Sequence, residues 1–150
     1  MFVAIEDVSF SYPNTQAPAL DRFTLDIKKG EVISILGRSG SGKSTLGHCL
    51  NGLIPFAYKG EITGSLKIKD NETLEQDIFT LSKTIGTVLQ DADGQFVGLT
   101  VGEDIAFSME NDLVPQPEMK ERVRKVSKMV DMDRWLSNSP YELSGGQKQR

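Results

Sequence analysis

Cysteine and histidine are almost missing from this sequence: Cys49 is the only cysteine and His48 the only histidine among 150 residues. One thiol cannot close an internal disulfide, which fits a reducing compartment, and no further cysteine or histidine exists to complete a zinc site. Cys49 is therefore read as packing. Long apolar runs are missing as well. None approaches the ~20 residues of a transmembrane helix, and Met1-Phe2-Val3-Ala4-Ile5-Glu6-Asp7 lacks the basic flank and apolar stretch of a secretory signal. Basic residues are outnumbered, 17 against 21 acidic ones for a net charge of −4, and no long basic run occurs. A sequence-independent grip on nucleic acid is accordingly not expected. No internal repeat or low-complexity tract interrupts the chain. What remains is an ordinary globular composition, 38% apolar and 25% charged, of one domain's length, expected in the cytoplasm.

Glycine is present and concentrated. Gly37, Arg38, Ser39, Gly40, Ser41, Gly42, Lys43, Ser44 and Thr45 match the phosphate-loop pattern G-x-x-x-x-G-K-[ST] at every fixed position. Ahead of them Glu31-Val32-Ile33-Ser34-Ile35-Leu36 has the apolar, β-branched character of a strand buried in a parallel sheet. Behind them Thr45-Leu46-Gly47-His48-Cys49-Leu50 reads as a helix, so the order is strand, glycine turn, helix. Glycines let the backbone approach an anion, and the N–H groups of the turn and helix start point at phosphate. Lys43 adds a positive charge at the β and γ phosphates, and the Ser44 hydroxyl is a candidate ligand for Mg²⁺.

In chain order, Phe2 to Phe10 and Phe23-Thr24-Leu25-Asp26-Ile27 predict two strands that could pair antiparallel, joined by a loop with Pro13 and Pro18. Tyr12 sits in that loop, where its ring either stacks on a purine or covers the sheet edge. Gly60 to Asp70 alternates at period two and predicts a further antiparallel strand. Thr84-Ile85-Gly86-Thr87-Val88-Leu89 predicts a core strand that delivers Gln90 to its C-terminal end. The segment from Asp91 to Gly98 is a loop in which Asp91 and Asp93 are read as solvated turn residues rather than as an acid–base pair. Gly102 to Glu110 predicts a short helix with an acidic start, and a longer one runs from Pro115 to about Val130 with Met119, Val123, Val126 and Val130 on its packed face. Its other face carries Lys120, Arg122, Arg124, Lys125 and Lys128 and is read as solvated. Trp135 is read as core.

A second glycine motif stands near the end, Leu143-Ser144-Gly145-Gly146-Gln147. Alone it would serve as a simple helix start, because serine caps well and glycine tolerates unusual dihedrals. Together with the phosphate loop and Gln90, in that order, it resembles the ATP-binding subunit of ABC transporters over the whole chain. The resemblance implies an α/β fold: a P-loop NTPase core, RecA-like, over about 1–90, with an antiparallel β subdomain, and a helical subdomain over about 91–147. It implies that Tyr12 stacks on adenine, that Gly37 to Thr45 form the Walker A loop, and that Gln90 touches Mg²⁺ and the attacking water. Lys43 and Gln90 are then candidate catalytic groups, with Ser44 and Gln90 at the metal. Ser144, Gly145, Gly146 and Gln147 resemble the signature motif, which completes the ATP site of an opposing, head-to-tail subunit. The implied cofactors are ATP and Mg²⁺. The implied partners are a transmembrane transporter subunit and a second ATP-binding subunit, identical or homologous, at the cytoplasmic face of the membrane.

The segment from Gln90 to Phe96, continuing through Thr100-Val101 and Ile105-Ala106-Phe107, resembles the energy-coupling factor branch, importers of vitamins or of cobalt and nickel ions; Ala92 and Gly94 depart from its expected proline and asparagine. The family's Walker B aspartate, catalytic glutamate and switch histidine would all follow Arg150. The 150 residues are therefore expected to be incomplete at the C-terminus, a fragment that binds nucleotide and hydrolyses it poorly. Two other readings are a non-transport ABC ATPase of translation or DNA repair, and a nucleotide-binding module without catalysis.

Overall fold

The computed structural model describes residues 1–89 and 93–150, which divide into two compact units, Met1–Thr87 and Val88–Arg150. In the first, β1 (Val3–Ser11) and β2 (Leu20–Ile27) precede α1 (Lys43–Leu50) and α2 (Leu53–Phe56). They are followed by β3 (Glu61–Ile68), β4 (Asn71–Glu72) and α3 (Ile78–Ser82). The sheet runs β2-β1-β3-β4 with every pair antiparallel. The expected pairing of the first two strands is thus observed.

β1 lies centrally because both of its edges are bonded, and its apolar residues change parity half-way along. Val3 and Ile5 are buried, and so are Val8 and Phe10. The register slips between Ile5 and Val8, where Asp7 adopts a left-handed φ of 53°. One extra residue restores the inward face after the slip. Across from it, Gly64 has φ 87°, and a Cβ there would fall on the Asp7 carbonyl oxygen. The bulge needs that glycine.

Phe10, Ile5, Val8, Leu66 and Ile68 from the sheet meet Leu46 and Cys49 of α1, Ile54 of α2 and Leu81 of α3 in one buried cluster. Cys49 is 1% exposed, as packing requires, and burial pushes its thiol pKa up to about 11. Because the folded pKa is raised, this group's contribution to stability is complete below the unfolded value and is lost as pH rises toward 11. Alkylation with iodoacetamide at pH 8 should therefore run about two orders of magnitude slower in the folded chain than in urea, since thiolate is the reactive form. Equal rates would contradict the burial argument.

Two expected strands are not formed. Residues 31–36 and 84–89 have no strand assignment, with Val32 and Leu36 each 91% exposed and Val88 73%. A strand exists only through a neighbour's N–H and C=O groups, and among the described residues no strand pairs with either segment. Their apolar, β-branched composition reports an affinity for a buried sheet without supplying the sheet.

The second unit holds α4 (Val101–Asn111), α5 (Gln116–Met129) and α6 (Gly145–Lys148), with 3₁₀ turns at Asp133–Trp135 and Pro140–Glu142. Val101, Met132 and Leu143 are buried, and Ile105, Trp135 and Leu136 pack on them. The α5 packing face differs from expectation: Val123 and Ser127 are buried, whereas Val126 is 42% and Val130 36% exposed. Ser127 is tolerated inside because its hydroxyl donates to the Arg124 carbonyl at 3.1 Å. No helix of the described residues is long and apolar enough to cross a membrane.

Candidate functional site

The glycine loop closes on itself through one cation. Lys43 Nζ donates to the carbonyl oxygens of Gly37 at 2.9 Å and Arg38 at 2.7 Å, and to Ser41 Oγ at 3.2 Å. The Ser41 N–H donates to the Arg38 carbonyl at 3.2 Å, which turns the chain. Gly40 and Gly42 take φ of 79° and 87°, where side chains are strained. Gly42 is bound by space as well: a Cβ would fall on the Ala19 carbonyl oxygen and lie 3.3 Å from Leu20 Cδ2. Gly42 is also the residue before α1, so the helix begins directly on the turn. The first N–H groups of a helix have no partners within it, and they carry the positive end of its dipole. A lysine, a glycine turn and a helix start thus stand together, a set of groups suited to anionic oxygens.

Ser44 is exposed in the first turn of α1. Thr45 beside it is 6% exposed, and its Oγ1 lies 3.2 Å from the Tyr12 hydroxyl. The loop after β1 therefore reaches the first turn of α1. The Tyr12 ring also meets Phe10 edge-on, with centroids 4.8 Å apart at 86°. The residues fit a nucleotide with Mg²⁺: Gly40 and Gly42 form a left-handed turn directly before α1, Lys43 supplies charge, and Ser44 offers a hydroxyl oxygen, the hard ligand this cation takes.

Gln90 and Asp91 lie outside the described residues. Ser144, Gly145, Gly146 and Gln147 belong to the second unit, whereas Tyr12 and Gly37 to Thr45 belong to the first. Ser144 caps α6: its hydroxyl accepts from the Gln147 N–H at 3.4 Å, and Gln147 Oε1 accepts from the Ser144 N–H at 2.9 Å. A Cβ on Gly145 or Gly146 would meet nothing within 4 Å, so packing does not call for glycine at either position.

One polar device went unread in the sequence. Asp104 Oδ1 accepts from the Val97 and Gly98 N–H groups at 2.8 and 3.0 Å, and Glu103 Oε2 accepts from those of Leu99 and Thr100, both at 3.0 Å. Thr100 Oγ1 accepts in return from the Glu103 N–H at 3.2 Å. The signal was available, since Thr100 followed three residues later by Glu103 is a capping box.

A family model described as ABC transporter matches residues 20–150. The chain belongs to the ABC transporter family. An ABC transporter ATP-binding protein of Photobacterium profundum is 53% identical over 150 residues, all of this chain and 27% of that protein. One from Clostridium perfringens is 54% identical over 148 residues, covering 99% of this chain and 26% of that protein. The chain spans about a quarter of the length of these curated relatives. Among solved structures, cbiO1 of Clostridium perfringens, part of the ABC transporter complex cbiONQ, superposes with a TM-score of 0.84 at 30% identity, covering 99% of this chain and 57% of that one. A dimeric ATP-binding cassette bound to ADP and Pi gives a TM-score of 0.75 at 29% identity over 97% of this chain and 65% of that one. The expected α/β fold of the ABC ATPase type is therefore the fold of this ABC transporter chain.

Proposed function

We propose that the chain binds MgATP as part of an ATP-binding subunit that powers solute import. The observation that carries the nucleotide assignment is Lys43, held by three oxygens over a glycine turn at the start of α1. Gly37 to Thr45 cradle the phosphates through backbone N–H groups, Lys43 neutralises the β and γ oxygens, and Ser44 holds the metal. Bound there, Mg²⁺ supplies charge neutralisation to the phosphate tail. Tyr12 would receive the adenine on its ring face, and Gln90 would orient the attacking water. Ser144, Gly145, Gly146 and Gln147 close the site of a second ATP-binding subunit, so that two nucleotides lie between head-to-tail copies. Residues of about 1–90 form the nucleotide core, and those of about 91–147 the helical subdomain that meets a transmembrane partner at the cytoplasmic face.

The importer branch is supported by the likeness to cbiO1, whose structure is that of a part of cbiONQ. Titration calorimetry tests the core of this reading. MgATP should bind saturably at one site per chain and be displaced by MgADP. A flat titration with folded protein would end it.

A further inference from the structure

We infer that Tyr12 is a positioning residue for the phosphate tail, through its hydroxyl and separately from any contact its ring makes with a base. This rests on the nucleotide reading above and extends it.

Tyr12 is fixed at three points. Its carbonyl accepts from the Thr15 hydroxyl at 2.8 Å and from the Thr15 N–H at 3.3 Å. Its ring edge is set by Phe10, which is fully buried. Its hydroxyl lies 3.2 Å from Thr45 Oγ1, two residues beyond Lys43 in the first turn of α1. The same loop touches the phosphate loop again where Ala19 occupies the space a Gly42 side chain would take. Two contacts thus tie the Tyr12 loop to the turn that begins α1.

The consequence lies in the Thr45 hydroxyl. A threonine in a helix usually turns its hydroxyl back to a carbonyl one turn earlier, which removes it from service to a ligand. Either hydroxyl can donate across this contact; in the arrangement in which the Tyr12 O–H donates to Thr45 Oγ1, the Thr45 proton is left to be donated to an anion at the helix start. Thr45 is 6% exposed, so loss of the Tyr12 partner is not made good by bulk water. The ring of Tyr12 can then serve the base while its hydroxyl serves the phosphates.

The test compares MgATP with magnesium tripolyphosphate, which has the charged tail and no base, by calorimetric titration of the full chain. Tyr12→Phe should weaken both ligands by the same factor, roughly 3- to 10-fold, the range of one hydrogen bond. Thr45→Val should give a similar loss, the double variant no further loss, and Thr45→Ser should recover part of what Thr45→Val loses. A merely structural role for Tyr12 would give additive losses and no recovery by serine. Wild-type binding by Tyr12→Phe, or weakened MgATP with unchanged tripolyphosphate, overturns the inference while leaving the nucleotide reading standing. Absence of binding by the unsubstituted chain overturns that reading and this one with it.

Discussion

Lys43→Ala is expected to weaken MgATP binding by about two orders of magnitude or more, while leaving the unfolding midpoint within a degree or two of the parent chain. The first expectation follows from charge. A charge-assisted hydrogen bond is worth roughly 1.5–3 kcal/mol, and a lysine at the β and γ phosphates makes more than one of them. The second follows from location, because the lysine's three bonds lie in an exposed loop rather than in the core. There is also a conformational part. The Nζ atom spans the Gly37 and Arg38 carbonyls, so its removal releases the turn as well as the charge. Lys43→Arg separates the two: it keeps the charge, yet a planar guanidinium cannot occupy the ammonium's position among three converging oxygens. Both variants are read by calorimetric titration. Affinity for MgATP within threefold of the parent in Lys43→Ala would remove the loop as the phosphate site.

Phe10→Ala should cost about 3–5 kcal/mol of stability, the range for truncating a buried aromatic. That is a large share of the 5–15 kcal/mol typical of a whole domain. Phe10 has no exposed surface and is among the largest of the fully buried side chains. Its ring lies so close to Gly60 that a Cβ there would be 2.6 Å from the Phe10 Cζ, so backbone and ring fill the same corner without spare volume. Collapse of neighbours into the void is therefore limited, which places the cost toward the upper end. The loss should appear as a lower urea midpoint at nearly unchanged slope. A second effect is expected at the site, because the ring that orients Tyr12 edge-on has gone. A cost below 1 kcal/mol would show that the sheet is not where the stability of this unit resides.

The shape of the glycine loop was legible because it is local: a lysine, two left-handed glycines and a helix start lie within seven residues, 37–43. The helices α4 and α5 were legible for a similar reason, through acidic first-turn residues, a proline at the start and apolar spacing near 3.6. The short-range signal failed where the deciding partner is distant in the chain or not among the described residues. Residues 31–36 have the composition of a buried strand, yet Val32 and Leu36 are almost fully exposed, because pairing is a property of two segments and not of one. Val126 and Val130 carry the same lesson on a helix, since spacing defines a stripe but not which of its edges meets a neighbour. The link between Tyr12 and Thr45 bridges thirty-three positions, and no periodicity encodes it. Gln90 lies outside the described residues, so its role rests on order along the chain.

Four consecutive amides, from Val97 to Thr100, are held by only two carboxylates, both on the first turn of α4. Mechanically this makes the segment a handle on the helix rather than a hinge beside it. A displacement arriving along the backbone at Val97 either carries α4 with it or breaks four bonds to ionised oxygens at once. A force applied to the helix is returned to Val97 through the same grip.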